Sequence, residues 1–327
     1  MVATLPQYIC IEVILWEEEL VATRPPILQP GDTIGIVTLG SPLDASVIDA
    51  RVQTLQGMGF QVVLGEHVYA QNGFLAGTDQ ERASDLMNMF RNEQVKMILP
   101  SRGGVGVAGV FPYLDFDTIR RHPKIVTGYS DITGLLNVLY QYADLITFQS
   151  LLLIDFQLAT PAYNFDQFFA AVSTFISPRS IQNPPGVPLM SRVPGNVTGP
   201  LVGGNLLSFI DTLGTPFEID TRDKILVLEE THEPINKVYR HLNHLKLAGK
   251  FDDCIGVIMG ECTGCQVAYG KSYEDLINEF LVPLGKPLLT HLTTAHGTYK
   301  AALPIGARVN LNTYNNTLTV LEPTVSG

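Results

Sequence analysis

From residue 32 onward, apolar positions alternate between two patterns. Short solid runs come first: DTIGIVTLG, QVVLG, VKMILP, KIVTG and LITFQ. Between them, apolar residues recur every three or four positions. Ile48, Val52 and Leu55 share one helical face, as do Ala83, Leu86, Met87 and Phe90. Asp44 stands where an N-cap belongs, and Thr78 with Glu81 spells a capping box. Solid runs suit strands buried on both sides. Their alternation with helices predicts a parallel sheet with helices on both faces.

The pattern changes further on. A helix is expected from Phe165 to Phe175, followed by SPRSIQNPPGVPLMSRVPGNVTG, rich in Pro, Gly and Ser, which reads as a linker. A second α/β unit then begins. GGNLLSFIDTLG reads as a helix and KILVLE as a strand. Ile235, Val238, Tyr239, Leu242 and Leu245 line a helix that Gly249 ends. IGVIMG and KPLLTHL are strands flanking the helix YEDLINEFLVPLG, and the alternating segment around Asn315 and Asn316 is a hairpin. The expected organisation is an extension over 1–24, an α/β domain over 25–175, a linker over 176–198 and a smaller α/β domain over 199–327. No internal repeat is visible.

A chain of 327 residues is long for one core, which supports two domains. With 46% hydrophobic and 16% charged residues it is globular. Its formal charge of -11 repels a phosphate backbone, so nucleic acid is not an expected partner. No apolar run has the length of a membrane span. The greasy start, MVATLPQYICIEVILW, lacks a basic lead and is followed by Glu17, Glu18 and Glu19. It is read as an extra edge strand or a loosely held tail, not a signal peptide, and a cytoplasmic location follows. Of Cys10, Cys254, Cys262 and Cys265, only the last two form a C-x-x-C pair. With one further cysteine nearby, a zinc set is short of ligands, and the expectation is ordinary reduced thiols.

Several segments carry candidate chemistry. Gly104-x-Gly106-x-x-Gly109 follows a strand, and Asp131 lies about twenty residues on, as a dinucleotide fingerprint asks. Pro112 interrupts the helix such a site needs, so the better reading is a loop whose backbone N–H groups face a reacting oxygen. Ser130 sits between an apolar strand and an apolar helix, in Gly128-Tyr129-Ser130-Asp131. It is either a helix cap or a nucleophile at the positive end of a helix, where the N–H of Asp131 is free to face an oxyanion. His241 and His244 lie on a solvated helix face and His122 in a surface loop. His296, in TTAHGTYKAALPIG, lies in a loop between strands and can present its ring. KILVLEETHE ends a strand in two acids. Alternation sends Glu229 to the face of Ile225 and Val227, and Glu230 to that of Leu226 and Leu228. One is expected to enter a crevice and the other to face water or a partner.

These segments, SRGGVGVAG…GYSD, GPLVGGNLLSF, KILVLEE and AHGTYKAALPIGARV, together resemble the LD-carboxypeptidase family of serine peptidases, which includes microcin C immunity peptidases. The likeness runs from about Pro30 to Pro323. It implies a Ser-Glu-His triad of Ser130, Glu229 and His296, with the backbone N–H groups of Gly104 and Asp131 as oxyanion donors. It also implies a murein tetrapeptide substrate ending in D-alanine, no metal or cofactor, and a homodimer. Three positions depart from the family pattern: Ala295 where glycine is usual, Lys300 where asparagine is common, and Val105 where an aromatic is common. Two other functions stay open. One is cleavage of a peptidyl or aminoacyl nucleotide; the other is a non-catalytic nucleotide-binding α/β protein that uses the glycine loop.

Overall fold

The computed structural model describes residues 22–327, so the readings made for the first 21 residues lie outside the described residues. The first unit runs β1 (Thr33–Val37), α1 (Ala45–Gly57), β2 (Gln61–Leu64), α2 (Asp79–Arg91), β3 (Val95–Pro100), α3 (Phe116–Arg121), β4 (Ile125–Gly128), α4 (Ile132–Ala143), β5 (Thr147–Gln149) and α5 (Ala162–Val172). The five strands are parallel, in spatial order β5-β4-β3-β1-β2. The direction of travel across the sheet reverses at β1. Right-handed crossovers therefore put α1 on one face and α3 and α4 on the other. At such a reversal the strand ends splay and leave a crevice. Here that crevice opens between the loops after β1 and β3.

The Thr78–Glu81 capping box forms on α2. Asp44 takes the N-cap position of α1, but its side chain makes no capping bond.

The second unit runs β6 (Arg179–Ile181), β7 (Met190–Val193), β8 (Asn196–Asn205), α6 (Leu206–Ile210), β9 (Ile225–Thr231), α7 (Ile235–Leu247), α8 (Lys250–Asp253), β10 (Gly256–Thr263), α9 (Tyr273–Leu276), β11 (Leu288–Leu292), β12 (Leu303–Ile305), β13 (Arg308–Asn312) and β14 (Thr317–Val320). Its eight-stranded sheet has the order β6-β14-β13-β8-β9-β10-β11-β7, with β8 to β11 parallel. The stretch read as a linker thus contains β6, β7 and the start of β8. Its prolines and glycines fit because β6 and β7 are the two edges of the sheet. The expected helix at GGNLLSFIDTLG is shorter than its pattern, since Gly203, Gly204 and Asn205 finish β8. Only glycine fits at 203, where a Cβ would stand 2.0 Å from the Val227 carbonyl. Asn205 then caps α6, its Oδ1 accepting from Ser208 N–H at 3.1 Å. The expected hairpin is β13–β14.

Three features lock the units together. β9 alternates between two cores. Ile225 and Val227 join the core shared with the first unit, while Leu226 and Leu228 join one covered by α6 and α7. β12 returns to the first sheet and pairs antiparallel with β5. The loop between β11 and β12 is therefore strung from one sheet to the other, and it carries His296. Asn137 on α4 bridges the same gap, exchanging two hydrogen bonds of 2.8 Å with the backbone of Gly203.

Candidate active site

β4 ends at Gly128, and the chain must reverse into α4 within three residues. Ser130 takes up the reversal with φ +62, a region uncommon for a non-glycine residue. Its carbonyl accepts from Thr133 N–H at 2.9 Å, the bond that opens the helix. The Asp131 N–H lies before that first turn, and its carboxylate accepts from Val107 N–H at 2.7 Å. Burial pushes the Asp131 carboxyl up, with the Val107 N–H opposing. That bond ties the serine turn to the glycine loop after β3.

The loop is held from three sides. Ser41 N–H donates to the Gly103 carbonyl at 3.1 Å, and Ser41 Oγ accepts from Val105 N–H at 3.2 Å. Arg82, 1% exposed on α2, donates to the carbonyls of Leu39 and Gly106, the latter at 2.8 Å. Gly103 packs directly on the serine. A Cβ there would lie 2.7 Å from Ser130 Cβ, 3.0 Å from its Oγ and 3.1 Å from Asp131 N. Gly104 has φ +97 and stands against Ser41. Beyond Gly106 the chain makes a 3-10 turn, Val107–Tyr113, with Pro112 inside it. A dinucleotide site needs a long helix at that place.

His296 and Glu229 meet, with Nδ1 2.8 Å from Oε2. A carboxylate only accepts, so in a neutral ring this contact places the proton on Nδ1 and the lone pair on Nε2. Glu229 is 1% exposed, and its Oε1 has no hydrogen-bond partner among the described residues. Glu230 is equally buried, at 2%, which corrects the expectation that one acid faces water. It is occupied elsewhere: it accepts from Asn205 Nδ2, Leu207 N–H and Thr231 N–H, capping α6. Strand parity explains the split, since Glu229 follows Ile225 and Val227 toward the shared core.

The Tyr129 ring stands edge-on to the His296 ring at 5.2 Å between centroids. Its hydroxyl, pushed up by burial and by Asp155, donates to Asp155 Oδ1 at 3.3 Å. Among the described residues no hydrogen bond joins Ser130 to His296. Tyr129, next to the serine, is in ring contact with His296.

The departures from the family pattern have structural roles. Ala295 has φ +58, the reason glycine is easier there. Lys300, 8% exposed, donates from Nζ to the carbonyls of Ala295 at 2.6 Å and Gly297 at 2.9 Å, on either side of His296. The same ammonium lies over the Tyr129 ring at 4.9 Å. Burial lowers its pKa, with Asp155 and Glu229 opposing. Val105 is half exposed at the loop tip.

A family model described as the LD-carboxypeptidase N-terminal domain matches residues 34–150, and one for the C-terminal domain matches 198–311. The chain belongs to the LD-carboxypeptidase family. It is a serine peptidase, a hydrolase. A probable murein peptide carboxypeptidase of Bacillus subtilis is 37% identical, the match covering 93% of this chain and 95% of that protein. The murein tetrapeptide carboxypeptidase of Pseudomonas aeruginosa is 27% identical, over 85% and 92%. The microcin C7 self-immunity protein of Escherichia coli is 27% identical, over 94% and 99%. A solved structure of the microcin C7 self-immunity protein with aspartyl sulfamoyl adenosine superposes with a TM-score of 0.85 at 25% identity, over 93% and 100%. Membership removes the non-catalytic nucleotide-binding reading.

One cysteine expectation is corrected. Cys262 and Cys265 are joined in a disulfide at the end of β10, where Gly264, at φ +67, folds the chain back until the two Cα atoms are 5.4 Å apart. No metal-ligand cluster occurs among the described residues, and no described helix is long and apolar enough to cross a membrane.

Sequence reasoning did not find Gly103, Arg82 or the Asp131 carboxylate as supports of the site. The double glycine of SRGGVG was a usable signal for Gly103. Arg82 had none, because a charged residue beside Ala83 on an amphipathic helix reads as solvated.

Proposed function

We propose that the protein is a carboxypeptidase that hydrolyses the bond between an L-residue and a terminal D-alanine in murein tetrapeptides. The contact between Glu229 and His296, beside the Ser130 turn, carries this reading. In it, His296 Nε2 takes the proton of Ser130 Oγ as the oxygen attacks the scissile carbonyl. Glu229 holds the tautomer and stabilises the imidazolium. The oxyanion is met by the backbone N–H groups of Gly104 and Asp131, each worth about 3 kcal/mol of barrier. His296 returns the proton to the departing amine, an acyl-enzyme remains, and water releases it. The steps use side chains, backbone and water, and EDTA is expected to leave turnover unchanged.

Support for the substrate comes from the named activities of the Bacillus and Pseudomonas relatives. Ser130→Ala should abolish D-alanine release from such a tetrapeptide, and labelling by a fluorophosphonate, without lowering Tm. Retained turnover sinks the mechanism. A second reading, cleavage of an aminoacyl nucleotide, is favoured by the likeness to the microcin C7 self-immunity protein. Turnover of an aminoacyl sulfamoyl adenosine, with none of the tetrapeptide, would select it. The family likeness further supports a cytoplasmic homodimer. Light scattering reads the oligomer and cell fractionation the location.

A further inference from the structure

The C-x-x-C pair is a motif that the peptidase chemistry leaves unused, and it stands against the proposed triad. β10 runs past those residues on its way to the disulfide. At Gly260 a Cβ would lie 3.1 Å from the Glu229 Cβ. One residue on, the carboxylate of Glu261 is pressed against the histidine loop, where a Cβ on Gly297 would overlap its Oε2. The next residue is Cys262, bonded to Cys265. Two successive contacts with the site thus end directly on the disulfide.

The strand is irregular just there. Its register against β9 shifts between Met259 and Cys262, and pairing resumes at Cys262 with Glu230 and Thr263 with Thr231. Such a shift leaves residues out of the ladder. Beyond it, His232 N–H donates to the Thr263 carbonyl at 2.8 Å, and the His232 ring lies against Gly264. The disulfide is the covalent part of this anchor. It is also within reach of a reagent. Cys262 lies in the wall of an open recess of about 370 Å³, together with Thr263, Gly297 and Thr298. Cys265 is half-buried and Gly264 exposed. Cys254 differs: it is fully buried, and burial pushes its thiol up to about 11, which makes it unreactive.

We propose that Cys262 and Cys265 are a redox modification site that sets the activity of the serine site, with a cellular dithiol as reductant. The proposal rests on the peptidase reading for its substrate and its catalytic residues. In a reducing compartment a disulfide is usually of the sensing kind. A thiolate of the dithiol attacks Cys262 Sγ, and the Cys265 thiolate leaves. The second thiol of the dithiol then displaces Cys262. The reagent departs as a disulfide, and the protein keeps two thiols and the two protons. The oxidised form is the active one, because it fixes the strand end that backs Glu229 and the histidine loop.

The test uses the full chain. Wild type is oxidised with oxidised glutathione or reduced with thioredoxin, and free thiols are counted by alkylation. Reduction should expose the Cys262 and Cys265 thiols and lower kcat for D-alanine release, with KM changing less. The expected fall is about tenfold, less than the roughly 100-fold cost of a 1 Å misplacement, since the β9 pairs still hold the strand end. Reoxidation should restore the rate. Cys262→Ser/Cys265→Ser should sit at the reduced rate in either buffer. A reduced wild-type rate equal to or above the oxidised one overturns the proposal. So does a bond that thioredoxin leaves closed, or a fall on reduction that the double variant also shows. Loss of the folded circular dichroism signal on reduction overturns it too, because the disulfide would then be a structural staple. If the double variant does not fold, the two wild-type states decide. If neither state cleaves the tetrapeptide, the peptidase reading fails, and fluorophosphonate labelling of Ser130 in the two states decides the redox site. Slower labelling when reduced supports it, and equal labelling sinks it.

Discussion

Glu229→Gln isolates what a buried carboxylate does for the imidazole. The two groups are 2.8 Å apart and Glu229 is almost fully buried. At that separation, with an effective dielectric of about 20, a full charge pair is worth roughly 6 kcal/mol. In the proposed mechanism the attraction is complete only when His296 is an imidazolium, so nearly all of it would act in the transition state and little in the resting enzyme. Glutamine keeps the shape and part of the dipole. It can also offer an N–H to Nδ1, which would move the proton to Nε2 and remove the base. A loss of about 4 to 5.5 kcal/mol lowers kcat about 10³- to 10⁴-fold. Stability should move differently. Glu229 Oε1 is buried without a partner, so removing the charge relieves a desolvation cost, and Tm should hold or rise. The assay is D-alanine release under saturating tetrapeptide, with a thermal melt on the same sample. Turnover within roughly tenfold of wild type would refute the reasoning, because no charge pair of this strength would then be acting. A large fall in Tm alongside the lost activity would count equally against it.

Other substitutions probe the supports. Gly103→Ala places a methyl 2.7 Å from Ser130 Cβ and 3.0 Å from its Oγ. It should cut kcat at least about 100-fold, with a stability loss of about 1–3 kcal/mol, read by steady-state kinetics and urea melts. Lys300→Met leaves the Ala295 and Gly297 carbonyls without their donor. It should cost about 2–4 kcal/mol of stability and lower kcat more than it changes KM. Lys300 also has a pH signature. Its folded pKa lies below the ordinary 10.5, so in that window the unfolded chain binds the extra proton. Stability from this site therefore rises with pH up to about 10.5 and is lost as pH falls through the folded pKa. The stability gap between wild type and Lys300→Met should widen across that window, and a constant gap would contradict the assignment.

Much of this protein is legible in one dimension because the signals are local. Strand and helix periods, the Thr78–Glu81 box and the hairpin around Asn316 depend on neighbours a few residues away, and they appear where the pattern puts them. The parity of β9 is also local, and it was enough to place Glu229 and Glu230 on opposite faces. Where local signals misled, a longer-range contact overrode them. Gly203 and Gly204 belong to β8 because that strand must pass close to Val227. The segment between α5 and β8 contributes two short strands because each pairs with a strand distant in the chain, β6 with β14 and β7 with β11. The C-x-x-C pair is a local exception: Gly264, between the two cysteines, folds the chain back on itself.

The linear order of residues determined which groups could do chemistry: a serine at a strand-to-helix turn, a histidine in a loop, acids ending a strand, a run of glycines. Only the tertiary structure decided how they meet. The reversal of strand order at β1 opens the crevice that holds the glycine loop, and β12 crosses to the first sheet, drawing His296 over Glu229 and beside Tyr129. Such choices depend on pairing between residues far apart in the chain, Thr33 with Val95 and Gln149 with Leu303, which no local period encodes.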